Sequence, residues 1–589
     1  VNASERPIYV ASWYTDTMVA TPDRRVLQSD LDVDVCVVGA GLAGLTTARE
    51  LARRGWSVAV LEARRIAWNA SGRNTGFVLP GFAESMDVVV RRVGLEHAKQ
   101  LWALSEAGLD YVRTTIHETG MPGVDPTPGW LKVSKTDQAE HDLALVKLIG
   151  QELGGQIEGW PTDRVREVFK SRAYFHAIHY PTAFHIHPLN YALGLAAAAK
   201  AAGARIYEET PVVSIDTAGV RKRIDTPAAR IRADHIVLAG NVHLGAVVPR
   251  IAGTLLPIWT YVVTTAPLGR RLHEAIPYQG AVSDTDLADN HYRIVGGDRL
   301  MWSGGMNTWE RNPQRLVQRL KRDIRRVYPQ LGDVAITHAW NGVLGNALHR
   351  MPQIGELSPR VWLASGFGGH GLNTTAMAGN IVARAIAEGD DTWRLFLPYE
   401  LVWAGGRIGR AVAQTHYWWF HAREVANARE AQKREAEFRR NEERSEATAE
   451  PVETQAVPPV MAEPGAAQTI EPPATPSRPG QMRGVGPARD SGQSALEAQE
   501  VLPAVGEPPL VTIGEQTAAS PPMDETCDVA SASDVGRDQQ TVARKKKSAR
   551  KMKDTPDVRA ASDAIGDDQA APGKKKSRKR KRPDRTETI

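Results

Sequence analysis

DVCVVGAGLAGLTTARELARRGWSVAVLEA, Asp34 to Ala63, decides the fold. An apolar run, Val35 to Val38, leads into Gly39, Gly41 and Gly44, spaced G-x-G-x-x-G. In such a turn the first glycine permits a sharp bend and the second lets backbone approach a pyrophosphate. The third lets a helix lie close on its strand. Leu45, Ala48, Leu51 and Ala52 then recur at helical spacing, and Gly55 is placed to end that helix. A second apolar run, Ser57 to Leu61, delivers Glu62 where an acid can accept hydrogen bonds from ribose hydroxyls. This order predicts a Rossmann-type unit binding a dinucleotide through Gly39, Ala40, Gly41, Leu42, Ala43, Gly44, Glu62 and Ala63. The helix start would offer free amides and a positive dipole end to phosphate. Glu62 argues against a 2′-phosphate and so against NADP, but the unit alone does not separate FAD from NAD.

Working outward, RIAWNASGRNTGFV (Arg65 to Val78) is rich in glycine, serine and asparagine. Such a loop suits close approach to a flavin, and equally a plain surface turn. Its core, WNASGRNTG (Trp68 to Gly76), resembles the GASGRNGG signature of the D-amino-acid-oxidase-type FAD-dependent oxidoreductases, especially their γ-glutamylputrescine oxidase-like branch. Similar segments follow in order: HPLNYALGLAAAAKAAGARIYEETPVVSI (His187 to Ile215), ADHIVLAGN (Ala233 to Asn241), HYRIVGGDRLMWSGG (His291 to Gly305), WNGVLGNALHRMPQIG (Trp340 to Gly355) and WLASGFGGHGLNTTAMAGNIVARAI (Trp362 to Ile386). Asn69 and Thr75 stand where the branch usually has glycine, which would narrow or re-aim the loop.

The resemblance implies an α/β (α+β) chain in which a Rossmann-type FAD-binding domain is interleaved with an antiparallel-sheet substrate domain. It adds Ser71, Gly72, Arg73, Asn74, Thr75, Val213, Gly240, Gly368, Gly369, Gly371 and Leu372 to the cofactor contacts. Gly366 to Gly371 would expose backbone and Leu372 would begin a helix, whose amides would face the N1–C2=O edge of the flavin and stabilise negative charge. A glycine-rich cap without a ligand would have the same composition. Some relatives attach flavin through Cys or His. Here the folded region's one cysteine, Cys36, sits in the first strand and no His occurs between Trp68 and Thr75, so non-covalent FAD is expected.

The implied reaction is oxidation of a C–N bond in a small amine or amino acid to an imine and then an aldehyde, with oxygen as acceptor. Amine oxidation asks the protein mainly to orient, desolvate and stabilise charge. Pocket candidates are Tyr292, Arg293, Trp302, Trp340, His349 and His370. Arg293 would pair with a substrate carboxylate or serve a structural ion pair. Trp302 and Trp340 would wall an amine cage or fill the core. His370 would lie near the flavin. His185 and His187 form an H-x-H pair without an evident third ligand, so no metal is expected. Two competing readings are a flavin dehydrogenase feeding a membrane carrier and a non-catalytic nucleotide-binding protein.

The 589 residues carry a formal net charge of +5, too small to imply a particular partner. Two cysteines and the absence of CxxC pairs point to a reducing compartment, and no signal peptide or transmembrane run is read, so a cytoplasmic location is expected. Val1 in place of Met suggests a non-ATG start or a trimmed chain. The expected organisation is an arm (1–31) and an oxidoreductase unit (32–400), followed by a helical segment (401–440) and a disordered tail (441–589). Within the unit, residues 32–85, 185–250 and 345–390 would bind FAD, and 86–184 and 251–344 would form the substrate domain. The tail carries 17 acidic and 5 basic residues over 441–540, then 7 and 17 over 541–589. Its basic runs, Lys545 to Lys553 and Lys574 to Arg582, lack interleaved aromatics, which suits weak polyanion contact rather than specific nucleic-acid binding.

Overall fold

In a computed structural model, which describes residues 9–21, 25–284 and 290–448, the strand Leu31–Val38 lies near the middle of an eight-stranded sheet. It pairs in parallel with Val58–Leu61 on one side and Arg230–Leu238 on the other. Arg205–Tyr207 and Val361–Ser365 extend the parallel array, and Gln353–Ser358 closes one edge antiparallel. Such a strand is buried on both faces, which is why it reads as a continuous apolar run. Val35 and Val37 enter one core cluster, while Cys36 and Val38 enter another on the opposite face.

The helix Leu42–Arg53 follows directly, and its residues Leu42 to Ala52 are buried. Gly39 has φ +109°, a backbone state that favours glycine, and a Cβ on Gly44 would stand 2.1 Å from the Gly39 carbonyl oxygen. The turn is therefore as tight as its sequence demands. A second close approach joins this helix to Gly371–Glu388, where a Cβ on Gly379 would meet the Thr46 side chain at 2.6 Å.

The chain crosses to a second sheet of nine strands and back, then repeats the excursion. Strands between 77 and 185 and between 256 and 346 belong to the second sheet, and those at 205–238 and 353–365 to the first. The second sheet is antiparallel except where Ala281–Asp284 runs parallel to Thr127–Val133. The expected antiparallel-sheet domain is thus present, with this one parallel pair inside it. Helix Pro188–Ala201 follows Ala177–His185 and is capped by His187, whose Nδ1 accepts from the Asn190 amide at 3.1 Å.

At the C-terminal end the helical segment is longer than the sequence suggested, running Gly406–Thr448, so residues 441–448 belong to a helix rather than a tail. The remaining tail expectation, 449–589, lies outside the described residues. No helix among the described residues is long and apolar enough to cross a membrane.

Candidate active site

Two helix starts open on one cavity of about 690 Å³, a volume typical of ligand sites. Helix Leu42–Arg53 begins at Gly41, and Gly371–Glu388 begins at His370; neither start is capped by the side chain of its N-cap residue. Each leaves backbone amides for a ligand. Gly41, Leu42, Ala43, Ser71, Asn74 and Thr75 line the first end. Here the Ser71 hydroxyl accepts from the Leu42 amide at 3.1 Å, while Asn74 donates to the Ala70 carbonyl and accepts from the Gly76 amide. Gly368, Gly369, His370, Gly371 and Leu372 line the other. Gly368, at φ +57°, donates its amide to the Gly345 carbonyl at 3.1 Å, tying this turn to strand Ile336–Asn346 of the second sheet.

The remaining predicted cofactor residues fall into three groups. Gly39, Ala40, Gly44 and Gly240 shape the turn behind the cavity without lining it. Glu62 holds that turn, accepting from the amides of Ala40 and Arg64, each at 2.9 Å; desolvation raises its carboxyl pKa, partly opposed by these bonds. Ala63 is exposed beyond it. Gly72 and Arg73 lie in the short helix Ala70–Arg73, off the cavity, and burial lowers the Arg73 pKa to about 10. Val213 is the outlier: 55% exposed, it spends its amide on the Asp225 carbonyl at 2.8 Å. Asn69, one of the two departures from the branch pattern, fastens the loop by exchanging bonds with both backbone groups of Val343. Thr75, the other, faces the cavity.

The expected chemistry residues separate more sharply, because only His370 lines the cavity. Arg293 is buried, donating to His185 Nδ1 at 2.7 Å and to the Tyr14 hydroxyl at 3.1 Å, so it is structural rather than a partner for substrate. Tyr292 points into a core, stacked on Trp302 at 4.5 Å, with its hydroxyl between those of Tyr174 and Tyr328. Trp302 donates to the Asn290 side chain, and Trp340 donates to the Arg73 carbonyl at 3.0 Å. These tryptophans hold scaffold and loop rather than an amine. His349 accepts from the Met351 amide, away from the cavity. His185 and His187 bond to the Gln279 carbonyl and the Thr17 hydroxyl, and no metal-binding cluster occurs among the described residues.

What faces the cavity instead is a polar rung across the second sheet. Lys132, Ser283, His291 and Ser303 stand directly opposite one another on four consecutive strands, and all four line the cavity. Directly opposed residues share a face of the sheet. Trp130, two residues before Lys132 and on its face, packs on Tyr180 at 4.5 Å and donates to the Ser283 hydroxyl at 2.9 Å. That hydroxyl also bonds His291 Nδ1 at 2.8 Å. Desolvation lowers the His291 pKa to about 4 and the His370 pKa to about 3, leaving both rings neutral at pH 7. Ala413, His416 and Tyr417 of the long C-terminal helix add a further wall. A polar residue interrupting an apolar strand, as in LKV or MWSGG, was the available signal for the rung.

An FAD fits these residues. Two buried polar atoms on the lining, Asn346 Oδ1 and His370 Nδ1, have no hydrogen-bond partner among the described residues, and a Cβ on Gly369 or Gly371 would meet open space. Buried orphans of this kind call for a ligand.

Comparison with known proteins agrees. The DAO model, described as FAD dependent oxidoreductase, matches residues 34–385. Gamma-glutamylputrescine oxidoreductase of Escherichia coli (strain K12) is 32% identical over 383 residues, covering 64% of this chain and 89% of that protein. Probable oxidoreductase OrdL of Haemophilus influenzae is 30% identical over 415 residues, covering 69% and 95%. Glycine oxidase from Geobacillus kaustophilus shares the fold with a TM-score of 0.54 at 21% identity, over 63% of this chain and 99% of that one. L-proline dehydrogenase from P. horikoshii does so with a TM-score of 0.54 at 19% identity, over 63% and 98%.

Proposed function

Because the chain belongs to the DAO family of FAD-dependent oxidoreductases, we propose that it oxidises the C–N bond of a small amine of the γ-glutamylputrescine type, with oxygen as acceptor. The observation that carries this reading is the single cavity bounded by two helix starts, neither capped by its own N-cap side chain, and the polar rung of the second sheet. FAD, held at the two helix starts, supplies a two-electron acceptor. The amides at the Gly371 helix start would stabilise negative charge that develops on the bound cofactor. Trp130 and Tyr180 offer apolar faces that exclude water from the reacting carbon, and neutral His291 and His370 add no charge against a substrate amine. The amine leaves as an imine, which water converts to an aldehyde and ammonia. Non-covalent attachment is supported by Cys36, fully buried in the first strand with its thiol pushed up to about 12 by desolvation.

Anaerobic titration with γ-glutamylputrescine tests this directly. The oxidised-flavin absorbance should bleach, and admitting air should restore it with release of peroxide. A flavin that no amine or amino acid bleaches would overturn the reading.

One observation favours an electron carrier over oxygen. Residues 401–423 contain three arginines and no acid, and Trp403, Ile408, Val412, Trp418 and Trp419 among them are each more than half exposed. An aromatic, cationic surface of this kind suits a lipid interface. Bleaching by amine without reoxidation in air, but with rapid reoxidation by a quinone, would select this second reading.

A further inference from the structure

The charges around the cavity are almost all spoken for. Arg350 faces Glu84 at 3.8 Å, and the buried Asp284 pairs with Lys135 at 2.5 Å while accepting from Asn290. Burial keeps His291 and His370 neutral. Lys132 is the exception: its half-buried side chain lines the cavity, and no hydrogen bond or ion pair engages its ammonium among the described residues. A cation partly removed from water without a counter-charge is unfavourable, and an anion brought by a ligand relieves that cost.

From this geometry we propose that Lys132 anchors a carboxylate carried by the substrate, so that the enzyme selects amines bearing a carboxylate over simple amines. The assignment rests on the amine-oxidising reading above and supplies its specificity. Lys132 occupies the end of the polar rung, on the same face of its strand as Trp130. Trp130 in turn meets His370, on the helix start opposite, edge to face at 6.4 Å. The Lys132 charge is also felt at His370, so the ammonium lies within electrostatic reach of the flavin end of the cavity. A substrate with its carboxylate at Lys132 would therefore extend its chain past Trp130 toward that end. Ser283 is committed to Trp130 and His291, which leaves the ammonium as the group at this end free to take the anion. Arg293, the residue that sequence reasoning assigned to this task, is already bonded to His185 and Tyr14.

Calorimetric titration of the oxidised holoenzyme with glutarate and with neutral glutaramide tests the anchor without requiring turnover. Wild-type protein should bind glutarate more tightly than glutaramide. Lys132→Met should weaken glutarate roughly tenfold to a hundredfold, the loss of one charge-assisted contact, and leave glutaramide unchanged. Lys132→Arg should retain most of the preference. Lys132→Gln serves the same purpose if the methionine variant does not fold. Equal binding of the two probes by wild type, or unchanged glutarate binding in Lys132→Met, would overturn the proposal. So would slower reoxidation by air with glutarate binding intact, which would place Lys132 on the acceptor side. Glutarate binding that depends on Lys132, in a protein whose flavin no amine bleaches, would keep the anion site and remove the amine reading.

Discussion

At the helix-start end of the cavity, proposed to hold the nucleotide, the protein presents backbone, whereas at the end proposed for substrate it presents side chains. Gly41 to Ala43 and Gly368 to Leu372 contribute helix-start amides, positioned by tight turns in which the important property of several residues is the absence of a side chain. Lys132, Ser283, His291 and Ser303 come from four strands, and what counts is which face each side chain takes. Backbone recognition leaves a compact mark in sequence. Side-chain recognition across a sheet leaves single letters scattered over some 170 residues.

The largest expected effect is at the backbone end. Gly44→Val would press a branched side chain against the Gly39 carbonyl, already 2.1 Å from a Cβ at that position, and the protein should purify without flavin. Trp130→Ala should do the reverse, keeping a full flavin absorbance while raising the substrate concentration for half-bleaching about tenfold or more. If Gly44→Val retains flavin, or Trp130→Ala loses it, the division between the two ends fails.

A smaller effect sharpens the substrate end. Tyr292→Phe removes a buried hydroxyl from the Tyr174–Tyr328 cluster and should cost about 1 kcal/mol in denaturant unfolding, with unchanged kcat and KM. Its neighbour His291→Ala should alter KM instead. Changed kinetics in Tyr292→Phe would mean that the face assignment of this strand is wrong.

A separate effect, not tied to any one substitution, is one of pH. The folded-state pKa of His291 is about 4 and that of His370 and His185 about 3, all below the value near 6.5 of an unfolded histidine. The unfolded chain therefore binds more protons in this range. Their contribution to stability is fully present above about pH 6.5 and is eroded as pH falls through about 4 and then 3. Melting temperature should decline steadily over that window, while kcat/KM shows no inflection near 6.5 from these rings. An inflection there that disappears in His370→Asn would show that this ring titrates in the working enzyme.

This division also explains what could be read from the letters alone. The Rossmann turn, its helix and Glu62 lie within thirty residues of one another, and local pattern suffices to place them. Tyr292 and Trp302 were attractive because they are aromatic, but they stand opposite each other on the core face, one position away from His291 and Ser303 on the cavity face. A strand with apolar residues on both faces does not announce which is which. Arg293 shares the parity of His291, yet Tyr14, from the other end of the chain, covers it. Contacts that distant leave no local trace. Trp130 and Lys132 carry no local signal, because a short strand with one lysine is ordinary, and the aromatic run Tyr417 to Phe420 does not say that Tyr417 faces the cavity.

The alternation of the second sheet has an evolutionary consequence. Each member of the polar rung is carried by its own strand, and Leu131, Val133, Val282, Tyr292 and Trp302 beside them point the other way, into a packed core. On the proposed function, a substitution at 132 or 303 would rewrite one contact with substrate while leaving that core in place, whereas one at 283 or 291 would also break the bonds that join Trp130, Ser283 and His291. Such insulation would let a lineage exchange one amine for another by single steps, each intermediate still folded and still carrying its flavin.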